Sequence, residues 1–579
     1  MNTENQAMTG YPTKDLPWMK YYPEALIKNL SAPDNTVLEY LEKNCPGEDE
    51  IAMHYYGIDI TWKAVFEQID LTARALKSLG FGEGDQIPVF ICATPEFVYL
   101  LLAAERIGAA ILCRDNTLEE NAEAVKKSGA KMIFAHDYLS QEELSAYRHT
   151  AGVHCAVLLS PYRSGQYRDT PEHIRQFIDE QYSDKPAYGP KTVGWDAFLE
   201  FGKAYEGEVD AARDINRPLY RGYTSGSTGP SKQVIHCART MLGNLHQMNF
   251  YGSSDEFRAN WMVTCLPPSL VAVVVAMVLL PLASNKLLIL NPFCRPEDVD
   301  LELMRYRPNC WPTVPMLFEN LVRSKRVPDD YDMSHLMSCG AGAEAYNNHQ
   351  ILRAQKYFVD HGCKARFTTG YGCSEAGSNM TLPMSPRPIA DGNVGIPMPL
   401  SVIAAFKPGT QEELKYNEIG EICFASPSVM LGYDSKKATA RALQEHPDGR
   451  MWLHTGDIGY VTEEGVVYVL TRGTAHRFGF ENCELATLPM ENRLADAKIE
   501  GIQDEFFVIA PDPEHRHHFL PYLYIVLKDG YTCEDVTAKI DECLEDYMKP
   551  VEVKCIAERP FFHFKTNRIG LMKELMTKE

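Results

Sequence analysis

Basic residues are in short supply: 57 Lys and Arg stand against 78 Asp and Glu in 579 residues, a formal net charge of −21. Phosphate backbones and anionic bilayers are gripped by clusters of Lys and Arg, so nucleic-acid partners and acidic membrane surfaces are both disfavoured. None of the sixteen cysteines belongs to a C-x-x-C pair. That removes zinc ribbons and thioredoxin-type redox sites, and free buried thiols in a reducing cytosol are expected instead. The N-terminus, MNTENQAMTGYPTKD, has no basic segment followed by an apolar one, so no secretory signal and a cytoplasmic location are expected. Long apolar runs are also scarce. Residues 261–285 carry no charge, but three prolines interrupt them and the unbroken stretch 270–280 is short for a bilayer span, so a buried core helix is expected there rather than a membrane segment. Internal repeats and long low-complexity tracts are missing as well.

What remains is globular. Hydrophobic residues make up 45% of the chain and charged residues 23%, enough to bury large cores, and at about 150 residues per domain the length suggests roughly four units. In 66–79, apolar residues Ile69, Leu71, Ala73, Leu76 and Leu79 recur at helical spacing and stop at Gly80. Strands are expected at 86–92, 109–113 and 131–135, with helices at 95–107 and 118–128 between them, a βαβ succession that implies a largely parallel sheet. Residues 160–190, rich in Ser, Tyr, Asp and Pro, read as a surface excursion. Between 418 and 470, short β-rich runs separated by Gly-containing turns indicate a small β subdomain. Strands at 506–510 and 522–527 and a helix at 533–547 then form a final α+β segment long enough to be a separate domain.

The chemistry is concentrated in YTSGSTGPSK, residues 223–232. Its Ser, Thr and Gly residues permit a tight loop whose amides and hydroxyls can surround phosphate oxygens, with Lys232 as a cation. It is not a Walker-type P-loop, because Pro-Ser rather than Gly precedes the lysine. A flexible Ser/Gly linker has the same composition. The longer stretch YTSGSTGPSKQVIH resembles the phosphate-binding signature of the adenylate-forming superfamily, which includes acyl-CoA synthetases, nonribosomal-peptide adenylation domains and luciferases. The opening region from TWKAVF to RIGAAI resembles that family too. GAGAEA is similar to its adenine-side loop, GYGCSEAG to its Tyr-Gly-x-Thr-Glu motif, and WLHTGDIGYV with VLTR to its ribose-binding Asp and Arg motifs, all in family order.

The resemblance implies an α/β fold: a large N-terminal part of α/β subdomains with a small β subdomain, residues 1–471, then a small mobile α+β domain, 472–579, hinged near 471–475. It implies that Thr224, Ser225, Gly226, Ser227, Thr228, Gly229 and Lys232 hold the β- and γ-phosphates of ATP. Gly340, Ala341 and Gly342 would lie beside adenine, flanked by Tyr371. Ser374 keeps the hydroxyl of the usual Thr. Glu375 would help bind Mg²⁺, for which hard oxygen ligands are suited, Asp457 would accept the ribose hydroxyls, and Arg472 would meet ribose or phosphate. Taken singly, Glu375 could be a helix-start acid and Asp457 a turn residue. The implied reaction is adenylation of a carboxylic acid followed by thioester formation with CoA or the phosphopantetheine of a separate carrier protein.

By the same resemblance, Leu270, Val271 and Val274 lie where amino-acid-activating members line their acid pocket, with Trp311, Gly370 and Ser378 as further candidates. Leu270 occupies the position of an Asp that pairs with a substrate ammonium. An aliphatic side chain cannot compensate that charge, so an apolar acyl or aryl acid is expected; the aliphatics could also be plain core. The C-terminal region departs from the family. Only the ends of residues 473–494 align comfortably, although this region normally helps form the pantetheine tunnel. FFHFKTNRIGLMKEL puts no lysine at the usual catalytic position without a gap. Lys565 and Arg568 rank first as substitutes, ahead of Lys573, with Arg the poorer copy of a compact ammonium. This irregularity keeps a rival in view, a ligase-inactive nucleotide-binding homologue. Residues His515, His517 and His518 could hold a metal, but a solvated loop is expected between Pro-Asp-Pro-Glu and a strand.

Overall fold

The structure, a computed structural model, describes residues 8–24, 31–182, 189, 191–224, 231–252, 258–471, 477–478, 484–515 and 518–577. The residues Ser225, Gly226, Ser227, Thr228, Gly229, Arg472 and His517 therefore lie outside the described residues, as does most of the expected hinge.

Local signals fix the first layer. Thr61 caps the helix Trp62–Ser78 by accepting from the Ala64 amide, so that helix starts four residues before its apolar periodicity becomes visible. The helix Pro95–Ile107 begins on a proline, whose missing N–H is harmless there, and ends at Gly108 in the left-handed conformation. Strands Gln86–Phe90, Ala110–Cys113, Met132–His136, Cys155–Leu159 and Thr192–Gly194 pair in parallel within an eight-stranded sheet, which Pro218–Tyr223, Gln233–Cys237 and Gly432–Tyr433 complete. A seven-stranded sheet holds Asn260–Val263, Leu287–Leu290, Cys310–Thr313, Ser338–Ala341 and Phe367–Thr369, again parallel, with Ile51–Tyr55 and Ile58–Thr61 at one edge. Buried residues from both sheets belong to one apolar cluster. The α/β class is as expected.

Two local readings change, and that of a buried helix in the uncharged stretch holds. Residues 160–190 are not simply a surface excursion: they contain the helix Glu172–Gln181, whose Ile174 and Ile178 are buried four residues apart, a periodicity hidden by the polar composition. The uncharged stretch folds as a π-helical turn, Val273–Leu279, running into Leu280–Ala283, and no helix among the described residues is long and apolar enough to cross a membrane. Among the cysteines, Cys533 and Cys555 are joined as a disulfide rather than free. Cys533 opens the helix Cys533–Cys543, which packs on the strand Glu552–Ile556 that carries Cys555, and a separation of 22 residues leaves no motif to read.

The β-rich part is an antiparallel sheet built on Gly420–Ala425, Met451–Val461 and Val467–Thr471, extended by Asn393–Pro397 and Val402–Phe406. The last segment pairs Ile502–Pro511 with Phe519–Leu527 antiparallel and the latter with Glu552–Ile556 parallel. It buries its own cluster around Leu485, Phe507, Leu523 and Ile540.

Candidate active site

One cavity of about 1460 Å³ gathers most of the singled-out residues. Thr224, Lys232, Gly340, Ala341, Gly342, Gly370, Ser374, Glu375, Ser378, Asp457, Leu270, Val271 and Lys565 all stand on its wall. The wall does not include Tyr371, Val274, Trp311 or Arg568. For Trp311 the reason is strand alternation: Cys310 and Pro312 face the cavity, so Trp311 points to the opposite face and packs edge-on against Phe318, ring centroids 5.0 Å apart. Val274 is likewise fully buried behind the wall that Val273 and Ala276 provide.

The loop around Glu375 is fixed by its backbone. Gly372 lies so close to the returning chain that a Cβ would sit 1.9 Å from the Ser378 carbonyl oxygen, so only glycine permits the fold-back. A 3₁₀ turn, Ser374–Ala376, then presents Glu375 to the cavity. Its Oε1 accepts from the Tyr433 hydroxyl at 2.5 Å, and its carbonyl accepts from the Met430 amide at 2.8 Å. Tyr433 also lies under Lys232, whose Nζ is 5.0 Å from the ring centroid. Sequence reading missed Tyr433. Its one signal was a Gly-Tyr step in a β-rich region, and what brings it into place is the pairing of Tyr433 with Val234, immediately after the phosphate-loop segment.

Tyr371 and Asp457 are a couple. The Tyr371 hydroxyl donates to Asp457 Oδ2 at 2.7 Å in a buried setting. Burial, then the Asp457 charge, raise the Tyr371 hydroxyl far above its ordinary range, so it remains a donor at all working pH. Gly456, in the left-handed conformation, turns the chain just before Asp457, and its amide donates to Glu421 Oε1 at 3.0 Å. The other Glu421 oxygen meets His454 Nδ1 at 3.0 Å. Burial raises the Glu421 carboxyl, but the His454 and Gly456 contacts outweigh it and hold the group low. Tyr371→Phe removes one of the fixed donors to a carboxylate, and the expected result is a KM for ATP raised about tenfold with little change in kcat, read from initial rates against ATP concentration.

His236 supports the same loop from beneath. Its Nε2–H donates to the Ser374 carbonyl at 2.7 Å, leaving Nδ1 to accept from Thr240 at 3.0 Å. Burial pushes its pKa down to about 4, and that of His136 likewise to about 4. Both imidazoles stay neutral in the fold while the unfolded chain takes up protons near pH 6.5. Stability is therefore complete above about pH 6.5 and falls as pH drops from 6.5 towards 4, by up to roughly 3 kcal/mol for each histidine. Urea unfolding at pH 7.5 and pH 5 measures this, and His236→Gln should flatten part of the slope.

At the C-terminal end the two ranked cations part company. Phe561–Phe562 and Lys565–Thr566 form a hairpin, and Lys565 reaches the cavity wall beside His563. Arg568 instead ties segments together: Nη1 meets Glu344 at 2.7 Å, Nη2 meets Glu491 at 2.9 Å, and Nε donates to the Phe507 carbonyl at 3.1 Å. Burial raises the Glu344 carboxyl, but Arg568 and Arg559 outweigh it and hold it below the usual range. Lys573 lies on the terminal helix Arg568–Thr577, away from the cavity wall. In the histidine loop, His515 Nδ1 turns back onto Asp512 at 3.0 Å. Among the described residues the group with metal-ligand spacing is a different one, Glu421, Cys423 and His454.

Residues 42–434 match the AMP-binding enzyme family. The chain belongs to that family. A 4-coumarate–CoA ligase from Oryza sativa subsp. japonica is 26% identical over 429 residues, 72% of this chain and 70% of its own length. A long-chain-fatty-acid–CoA ligase from Bacillus subtilis is 24% identical over 550 residues, 93% of each. ATP-bound MatB from Rhodopseudomonas palustris shares the fold with a TM-score of 0.76 at 18% identity, over 94% of this chain and 99% of that one. MenE from Bacillus subtilis, solved with ATP and magnesium ion, gives 0.69 at 19% identity over 92% and 98%. As an AMP-binding enzyme the chain is an AMP-forming ligase.

Proposed function

We propose that this AMP-binding enzyme activates a carboxylic acid as its acyl-adenylate and passes the acyl group to the thiol of CoA. The observation that carries the proposal is the continuity of the cavity. Lys232, Glu375 and Asp457 on one side, an apolar wall from Leu270 to Leu280 on another, and Lys565 from the C-terminal hairpin all face a single space. A nucleotide and an acid can meet there with a mobile cation beside them.

In the first step the acid carboxylate attacks the α-phosphorus of ATP and pyrophosphate leaves. Asp457, oriented by Tyr371, holds the ribose hydroxyls. Lys232 and the loop 224–229 hold the β- and γ-phosphates. Lys565 supplies a compact positive charge between the carboxylate and the α-phosphate, where charge builds up in the transition state. Glu375 fits Mg²⁺, since Tyr433 occupies Oε1 and, among the described residues, no hydrogen bond to Oε2 competes with a hard cation; that ion would neutralise phosphate charge. The apolar wall excludes water from the hydrolysable adenylate. In the second step the CoA sulfur attacks the acyl carbon and AMP leaves. We place the ATP- and acid-binding core at 1–471 and the closing domain at 472–579, whose rotation would withdraw Lys565 between the steps.

The curated relatives named above are CoA ligases, which favours CoA over a carrier protein. Incubation with ATP, Mg²⁺, a panel of fatty and aryl acids and either CoA or a pantetheinylated carrier, followed by mass spectrometry, tests the acceptor. An acyl-CoA product is expected. Acylated carrier without acyl-CoA would overturn the CoA assignment, and AMP release without any thioester would remove the second step.

A further inference from the structure

Residues two apart on a strand share a face. Glu421 and Cys423 therefore stand together on Gly420–Ala425, and His454, registered opposite Cys423 on Met451–Val461, joins them. The ladder slips at this point: Cys423 pairs with His454 but Glu421 with Ile458, so residues 455–457 answer to Ile422 alone and bulge from the sheet. Asp457 is in that bulge. The Thr455 hydroxyl ties the bulge to the neighbouring strand by donating to the Ile422 carbonyl at 2.6 Å.

The three side chains converge. His454 Nδ1 lies 3.0 Å from Glu421 Oε2 and 3.4 Å from Cys423 Sγ, and the three ligand atoms all lie within 4.8 Å of one another. A tetrahedral zinc ion, with bonds of about 2.0 Å to nitrogen and oxygen and about 2.3 Å to sulfur, spaces its ligand atoms about 3.3–3.6 Å apart. An outward shift of about 0.3 Å at Glu421 opens the shortest edge to that size. Thiolate, imidazole and carboxylate together suit zinc and are poor ligands for Mg²⁺, which takes oxygen. The group is therefore chemically distinct from Glu375.

The surroundings hold these ligands in place. Glu421 Oε1 accepts from the Gly456 amide at 3.0 Å, and the Gly409 amide also bonds this carboxylate. Across the imidazole, His454 Nε2 meets His446 Nε2 at 3.0 Å. With the proton of that bond on His454, Nδ1 presents a lone pair to Glu421 and Cys423, the tautomer a metal needs; with it on His446, the His454 Nδ1–H donates to Glu421 instead. Burial lowers the His446 pKa, so that ring is neutral and able to accept. Cys423 and His446 are buried, packed with Phe406 and Trp452. Glu421 and His454 reach the cavity wall, which supplies an entry path.

We infer that Glu421, Cys423 and His454 bind one Zn²⁺, with water from the cavity at the fourth position. His446 is a positioning residue that accepts from His454 Nε2–H and fixes its tautomer. Burial, then the Glu421 charge, raise the Cys423 thiol well above its ordinary range, so in the metal-free protein it keeps its proton, which passes to solvent when sulfur bonds the metal. The ion bridges two strands at the base of the bulge and so pins the turn that carries Asp457. This site needs neither acid nor ATP, and it stands apart from the acid-ligase reading.

The test uses the full-length chain, stripped with a chelator and dialysed against about 1 μM free zinc chloride in excess Mg²⁺, which fills oxygen-only sites. Elemental analysis should find one zinc per chain in the wild type and none in Cys423→Ala or His454→Gln. His446→Phe should weaken zinc affinity by about 10- to 100-fold while keeping the ligand set. Cobalt in place of zinc reports the ligands directly on the wild type, independently of how any variant folds: a thiolate-to-cobalt charge-transfer band and tetrahedral visible bands are expected. A wild-type chain without bound zinc, undiminished zinc in Cys423→Ala, or bound cobalt without the thiolate band would each overturn the inference, whatever the outcome of pyrophosphate exchange.

Discussion

Lys565→Ala lowers acid-dependent pyrophosphate exchange by about 100- to 1000-fold, the range found when one preorganised donor to a developing charge is removed. Lys565→Arg restores part of it, since a guanidinium keeps the charge but spreads it over a plane. The reason for so large an effect is placement. Lys565 follows His563 and Phe564, which sit at φ +48° and +62° in the two-residue turn of its hairpin. A turn with two such residues in succession suits Asn and Gly, and two bulky side chains there hold a conformation that is intrinsically unfavourable. The turn brings Lys565 to the wall that Glu375 and Asp457 share. Release of AMP from preformed acyl-adenylate by CoA should change far less in Lys565→Ala, because that step forms no new bond at phosphorus. Equal loss in both half-reactions would indicate a general folding defect, which a thermal melt would register.

Arg568→Met behaves in the opposite way, with a large loss of stability. Arg568 is 23% exposed, and its partners Glu344 and Glu491 are 11% and 5% exposed, so the ion pairs are largely desolvated and removing the cation strands two carboxylates. About 3–5 kcal/mol is expected, measured by urea unfolding at pH 7. Glu344 comes from the GAGAEA segment and also accepts from the Thr566 amide at 3.1 Å, so the pair clamps the C-terminal hairpin to the nucleotide-side loop. Glu344→Gln should be milder, as it leaves a neutral acceptor. An Arg568→Met enzyme of normal stability but without exchange would move the catalytic cation to Arg568.

These two residues show where sequence reading stops. Lys565 and Arg568 are three positions apart, and nothing in their spacing distinguishes them; the hairpin turn and the helix start between them send one to the cavity and the other to Glu344. The helices Pro95–Ile107 and Leu118–Ser128 were legible to the residue because Pro95 in the first and the Thr117 cap in the second mark the start, and Gly108 and Gly129 mark the ends. Trp311 was not, since its placement depends on which face of a short strand meets the π-helical turn, and a single apolar run does not say. Tyr433 and the partnership of Tyr371 with Asp457 likewise needed contacts across 58 and 86 residues of sequence.

The acidic composition takes on a specific meaning in this setting. With a net charge of −21, no general positive field would draw in ATP, and the proposed binding would depend on a few local groups: Lys232, the segment 224–229, Lys565 and Glu375, which would hold Mg²⁺. The most direct measurement is therefore pyrophosphate exchange into ATP by the wild-type enzyme across a panel of fatty and aryl acids, with and without each acid. Exchange that requires an acid and Mg²⁺ and is nearly abolished in Lys565→Ala is the predicted result. Exchange without acid dependence, or none with any acid while ATP still binds, would contradict the assignment of this cavity as an acid-adenylating site.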